Sequence, residues 1–173
     1  MFKLANLIQM SFPVPDSKKD QAKDCIERLT NVNNLANQLK ESLEILSSVF
    51  TEFKQIDGEK FYSKRGMLSK YKQDNLNLFK DLKDEGIFVI NILDDFNPKS
   101  DSIVNEILES FKNNIDDIED SLESLGNSLL DFDDLDFQNK ILILVENCNT
   151  NIVKLVKLVD DRAIKFLEDD VIA

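Results

Sequence analysis

One stretch of the chain, residues 22–53, repeats apolar residues every seven positions in two parallel rows. The first row is Ala22, Leu29, Ala36, Leu43 and Phe50, and the second is Cys25, Val32, Leu39, Leu46 and Phe53. Most positions between the rows are polar. Two such rows lie on one side of an α-helix and form a narrow seam that partner helices must cover. The stretch is therefore predicted to be a helix about 48 Å long, at about 1.5 Å per residue, within a bundle.

A second seam of the same regularity occurs in the third quarter of the chain. Its residues are separated by alternating steps of four and three: Val104, Leu108, Phe111, Ile115, Ile118, Leu122, Leu125, Leu129 and Phe132. Between the two seams lies a looser pattern of two rows, with the polar residues Lys64, Asn75 and Glu85 among them. The first row is Phe61, Leu68, Asn75, Leu82, Val89 and Phe96, and the second is Lys64, Tyr71, Leu78, Glu85 and Ile92. Gly86 lies inside this pattern and costs about 1 kcal/mol relative to alanine in a helix. The sequence therefore leaves undecided whether the helix kinks or breaks at this residue.

The last apolar pattern is wider than a seam. Its central residues are Ile141, Val145, Cys148, Ile152, Leu155, Val159 and Phe166. Further apolar residues extend it on both sides: Leu142, Ile143, Leu144, Val153, Val156 and Leu158. A helix that is apolar around so much of its circumference is predicted to be the most buried one in the bundle.

Glycine, proline and capping residues mark the ends of these helices. Gly58 is suited to a helix C-cap, and the residue before Pro98 avoids the helical region. The predicted helices cover about 16–57, 59–97, 100–131 and 134–170. Long helices joined by short links predict an all-α fold, an antiparallel four-helix bundle with coiled-coil-like heptad seams, as one domain over residues 16–173.

Residues 1–15 precede the bundle and are predicted to form a short N-terminal apolar arm. Residues 1–12 contain five large apolar side chains as candidate contacts: Phe2, Leu4, Leu7, Ile8 and Phe12. The two prolines that follow favour an extended link between arm and bundle. No apolar run approaches the roughly 18 residues of a transmembrane helix, and no small-residue cleavage site follows the arm. We expect a cytoplasmic protein, and secretion without a cleavable signal stays open.

Negative charge is concentrated in one part of the sequence. Residues 99–137 contain two basic and twelve acidic residues, a net charge of −10 against −12 for the whole chain. Five of the acidic residues follow one another along the third helix: Asp116, Asp117, Glu119, Asp120 and Glu123. Like charges four residues apart destabilise a helix slightly. We interpret this run as a candidate docking surface for a basic partner, and a purely solubilising surface is the simpler alternative.

The sequence lacks the residues that most catalytic and metal sites need. It contains no histidine and only two cysteines, Cys25 and Cys148. Both cysteines lie on apolar stripes and are expected to be free, poorly reactive thiols. The aspartates of residues 131–136 do not match a calcium loop, because Leu135 and Leu142 fall at positions five and twelve. No catalytic residue, cofactor or metal is predicted, and a non-enzymatic protein is expected.

Three functions are compatible with this sequence. The favoured one is a structural, adaptor or inhibitor protein that works through protein–protein interaction, and self-association into a homo-oligomer stays open. The second is a membrane-active bundle of the pore-forming or cell-death type, with residues 1–12 as an insertable arm. The third is an acidic inhibitor that mimics nucleic acid. Binding of the chain to nucleic acid or to anionic membranes is disfavoured by its net charge.

Overall fold

Four long α-helices make up most of the part of the chain that the structure describes. The computed structural model of the protein describes residues 18–52, 65–95, 102–131 and 136–172. The helices are α1 (Lys18–Glu52), α2 (Arg65–Asp95), α3 (Ser102–Ser128) and α4 (Phe137–Leu158). No strand occurs in these residues. The predicted all-α, four-helix fold is confirmed.

The helices form a ring in which neighbours run antiparallel. α1 packs against α2 and α4, and α3 packs against the same two helices from the other side. Arg28 pairs with Glu85 at 3.3 Å near the start of α1, and Ser42 donates to Asn75 at 2.6 Å further along. Residue numbers therefore rise along α1 as they fall along α2. This antiparallel order also holds where α3 contacts α2 and α4.

The contact between α1 and α4 closes the ring. The amide of Gln138 donates to the main-chain oxygen of Phe50, and the rings of Phe50 and Phe137 meet edge to face at 5.7 Å. At the other end of the bundle, Asn33 donates to Oδ1 of Asp160 at 2.7 Å. The contacts at the two ends of the bundle show that α1 runs antiparallel to α4 and the segment that follows it.

The predicted seams of α1 and α3 form the centre of the core. In α1, every seam residue that the structure describes has 0% exposure, and Phe53 lies outside the described residues. In the second seam, the residues from Val104 on α3 to Leu129 just after it are at most 4% exposed, and Phe132 lies outside the described residues. Burial of apolar surface at roughly 25 cal/mol per Å² makes these seams the main source of stability.

One of the two apolar rows of α2 differs from the prediction. The first row is buried as predicted at Leu68, Asn75, Leu82 and Val89. The second row lies mostly one position later than predicted, at Phe79, Gly86 and Leu93, whereas Ile92 is buried as predicted. Tyr71, Leu78 and Glu85, which the sequence pattern placed in the seam, are only half-buried.

Gly86 occupies one position of the second row and is buried against α3. α2 is continuous through this residue. A Cβ atom at Gly86 would lie 2.6 Å from Cδ1 of Ile115 on α3. The missing side chain therefore allows α3 to approach α2 closely. The glycine is explained by this close packing, and the helix does not break there.

The link between α3 and α4 begins earlier than predicted. α3 ends at Ser128, before the expected end at residue 131, and a turn follows at Leu129 and Leu130. α4 begins at Phe137 with Asp136 at the N-cap position. The Asp136 side chain makes no cap hydrogen bond, and its Oδ1 instead accepts from Nδ2 of Asn139 at 2.9 Å. The fourth helix was expected to end near residue 170, and helical structure continues to Ile172. The predicted ends at residues 16, 57, 59, 97, 100 and 134, and the arm, lie outside the described residues.

The chain continues beyond α4 in two π-helical segments, Val159–Ile164 and Leu167–Ile172. Their buried residues, Val159, Ala163 and Leu167, are separated by steps of four. Residues four apart lie near one face of a helix, and both segments stay in contact with α1. Arg162, which interrupts the apolar pattern, pairs with Glu106 of α3 at 3.1 Å.

A polar pair inside the seam fixes the register of α1 and α2. Asn75 is 3% exposed and accepts a hydrogen bond from Oγ of Ser42 at 2.6 Å. Buried polar groups need partners, and a slip of one helix along the other would leave the Asn75 amide unpaired. The pair therefore favours one alignment over others, as a buried asparagine does in helical bundles.

Substitution of a buried seam residue with aspartate is expected to unfold the bundle easily. Leu39→Asp and Ile118→Asp each place an unpaired charge in the core, and each is expected to cost at least about 3 kcal/mol. Ile45→Asp is the matched control, because Ile45 lies on α1 and is 54% exposed. The control should change the free energy of unfolding by less than about 0.5 kcal/mol. Urea denaturation followed by circular dichroism measures all three, and equal stabilities would contradict the assigned core.

Removal of the Ser42 hydroxyl is expected to lower the free energy of unfolding, because Asn75 would be buried without its hydrogen-bond donor. Ser42→Ala leaves Oδ1 of Asn75 without its donor, and the expected loss is about 1–3 kcal/mol of unfolding free energy. The double variant Ser42→Ala/Asn75→Leu removes both polar groups and should recover most of that loss. Urea denaturation of the single and double variants is the measurement. A Ser42→Ala protein as stable as the wild type would show that the pair does not fix the register.

Candidate partner-binding surfaces

The acidic residues of α3 lie on its outer side because the seam holds its inner side in the core. Asp116, Asp117, Asp120 and Glu123 are exposed. Asp116 and Asp120 are one turn apart, and Glu123 lies on the next turn. We call these four residues the acidic face of α3. The structure thus places four of the five predicted candidate residues together on one solvent-facing surface.

Glu119, the fifth candidate, belongs to a different contact. It is half-buried, and its carboxylate accepts from Nζ of Lys83 on α2 at 2.9 Å. Glu106 of α3 is likewise paired, with Arg162 at 3.1 Å. Exposed ion pairs of this kind are each worth no more than about 1 kcal/mol. These ion pairs involve the carboxylates of α3 that border a neighbouring element. The carboxylates of the acidic face point to solvent instead.

The carboxylates of the acidic face have no cationic partner in the described part of the chain. Lys112, the basic residue of α3, pairs with Glu109 at 3.5 Å. No ion pair involves Asp116, Asp117, Asp120 or Glu123 within residues 18–52, 65–95, 102–131 and 136–172. The repulsion among these side chains is therefore not relieved by contacts within the described bundle.

A hydrogen-bond network holds the backbone beneath the acidic face. Nδ2 of Asn151 on α4 donates to Oγ of Ser121 at 2.7 Å and to the main-chain oxygen of Asp117 at 3.3 Å. The Ser121 hydroxyl itself donates to the same oxygen of Asp117 at 2.7 Å. Three groups from two helices thus meet at one point. The acidic face is therefore presented on a helix whose backbone is hydrogen-bonded to its neighbour.

A second exposed surface, on α4, was missed by the sequence analysis. α4 was predicted to be the most buried helix, and this prediction is wrong on its outer side. Ile143 is 58% exposed and Val153 is 48% exposed. At 3.6 residues per turn, Ile143 lies about 200° around the helix from Ile141, on the side opposite the seam. Measuring that angle would have identified the surface, whereas counting apolar residues did not.

The arm residues predicted to make contacts lie outside the described residues: Phe2, Leu4, Leu7, Ile8 and Phe12. Across the described ranges, no three or more carboxylate and cysteine side chains are grouped so that they could hold a metal ion. Within the same ranges, the helices include none that is both long and apolar enough to cross a membrane.

Both cysteines are free and buried, as predicted. Burial raises the pKa of the Cys148 thiol to about 12. Burial also raises the pKa of Cys25 above its ordinary value, and the neighbouring carboxylate of Asp24 raises it further. Thiols with raised pKa values stay protonated at neutral pH, and the protonated form is a poor nucleophile. The two cysteines therefore act as small apolar residues of the core.

Comparison with protein-family models, with curated proteins and with solved structures finds no match to this chain. The fold and the surfaces described above are therefore the basis for assigning a function.

Neither thiol is expected to react in the folded protein. At about pH 8, a disulfide reagent such as dithionitrobenzoate should modify both cysteines only as fast as the bundle opens, because each thiol is buried and protonated. The absorbance of the released thiolate measures the rate, and the same protein unfolded in guanidinium is the control. Stoichiometric reaction of either cysteine within the mixing time, without denaturant, would contradict their placement in the core.

Proposed function

We propose that this protein is a non-enzymatic helical bundle that acts by binding another protein through the acidic face of α3. The observation that carries the proposal is that some carboxylates of α3 form ion pairs with neighbouring elements, whereas those of the acidic face do not. Glu106 and Glu119 are paired with cations of neighbouring elements. The carboxylates of the acidic face are exposed and have no ion-pair partner among the described residues.

A basic partner would relieve the repulsion within the acidic face. α3 contains seven acidic residues and one basic residue. Three of the seven, Glu106, Glu109 and Glu119, already form ion pairs within the bundle. A surface of one charge sign attracts its opposite over a distance of about 8 Å at physiological ionic strength and accelerates association. The function proposed for the face is therefore to attract and orient a basic protein.

The position of the acidic face on a fixed helix supports recognition of a particular partner. The contacts of Asn151 hold α3 in register with α4 beneath the acidic face. Charges on a rigid helix keep their mutual distances, so a partner with matching spacing binds with less loss of conformational freedom. An adaptor or inhibitor role is consistent with such a surface.

Charge reversal on the acidic face is expected to weaken partner binding strongly, mostly through slower association, without loss of stability. The test variant replaces Asp116, Asp117, Asp120 and Glu123 with lysine. Exposed substitutions typically change the unfolding free energy by less than about 0.5 kcal/mol each. The matched control replaces four other exposed acidic residues with lysine: Glu41, Asp74, Asp81 and Asp84. The control has the same net charge as the test variant, so a generic effect of charge would affect both equally.

The assay captures a partner from the source cells with the wild type and then measures its association rate with each variant. Slower association for the test variant by about tenfold or more, with the control close to wild type, supports the proposal. Equal association and equal salt dependence for all three proteins would reduce the acidic face to a solubilising surface. If the partner binds nucleic acid, competition by DNA for the same site would identify the inhibitor form of this function.

A further inference from the structure

The outer side of α4 is an apolar surface with charged residues on its borders. Ile143 and Val153 are 58% and 48% exposed, and exposed Thr150 lies between them. A groove of about 580 Å³ lies beside Val153, with Leu142 and Val145 on α4 and Ser47 on α1 in its walls. Isolated exposed apolar residues are ordinary, and these two are about 15 Å apart along α4. The groove beside Val153 is what distinguishes this surface from others.

Two opposite charges lie along the same surface. Glu146 and Lys154 are exposed, and both line the groove. They are eight residues apart, about 12 Å along the helix, and too far apart to pair with each other. Neither makes an ion pair with any residue in the described part of the chain. The surface thus offers one anion and one cation at a fixed separation.

We propose that a second copy of this chain binds this surface, with the two α4 helices antiparallel about a two-fold axis near Asn149. In that arrangement, each residue before Asn149 faces a residue equally far after it in the other copy. Glu146 then lies within about 3 Å, measured along the axis, of the level of Lys154 in the second copy. Ile143 likewise lies within about 3 Å, measured along the axis, of the level of Val153 in the second copy. One surface therefore supplies both sides of every contact.

This self-complementarity distinguishes a second copy from other occupants. A two-fold interface requires one patch that matches itself, and it forms each contact twice. α4 contains three lysines and one glutamate, whereas α3 contains seven acidic residues and one basic residue. An interface centred on α3 would place like charges together. The axis is therefore on the α1 side of α4, where the groove can receive apolar side chains of the second copy.

The proposal goes beyond binding through the acidic face, because it concerns a different surface and a different partner. Sedimentation equilibrium of the full chain tests it. The wild type should form a dimer at high concentration. Glu146→Lys and Lys154→Glu each replace two ion pairs with two repulsive contacts, and each should weaken the dimer about tenfold. The double variant Glu146→Lys/Lys154→Glu exchanges the charges and should restore the wild-type dissociation constant.

Two features of the design separate this interface from a generic effect of charge. Glu146→Lys makes the chain less negative and Lys154→Glu makes it more negative, yet the interface predicts weakening for both. Glu41→Lys, an exposed change on α1, is the control and should leave the dimer unchanged. Ile143→Gln should weaken the dimer through loss of apolar contact. A chain that stays monomeric up to about 1 mM, a dimer insensitive to these changes, or a double variant that is not restored would overturn the proposal.

Discussion

Burial of the α1 seam is the interaction on which the rest of the bundle depends. The seam residues that the structure describes are fully removed from solvent, and α1 packs against both α2 and α4. An amphipathic helix of this length is not stable alone, so its apolar side determines where the other helices must lie. α3 completes the ring from the opposite side with a seam of its own. The Ser42–Asn75 pair then selects one alignment among those that would bury similar apolar area.

Because the seams stabilise the fold, the outer sides of the helices are free to take other roles. Exposed charges contribute little to the stability of such a bundle. The acidic face of α3 and the apolar outer side of α4 lie on neighbouring helices, and they differ strongly in charge and polarity. A protein that binds a basic partner on one side and its own copy on the other would hold two acidic faces in one assembly. Two linked faces raise avidity for a partner with two basic sites.

The sequence predicted those features that depend on one helix at a time. The seams of α1 and α3 repeat without interruption, so their buried sides followed directly from the heptad spacing. The second row of α2 did not, because Gly86 is buried by its close contact with Ile115, and a glycine has no side chain to reveal such a contact in the sequence. In the same way, the acidic run was visible in the sequence. The pairing of Glu119 with Lys83 was not, because it depends on the register between α2 and α3.

The most direct test of the central claim is a nuclear magnetic resonance titration of the isotope-labelled protein with a lysine-rich peptide. The claim is that the bundle presents its unpaired carboxylates on α3 as one binding surface. The amide signals of residues 116–123 should shift most, and the shifts should weaken as salt screens the exposed charges beyond about 8 Å. Shifts of the same size around Asp74, Asp81 and Asp84 on α2 would contradict the claim, since the peptide would then be responding to net charge alone.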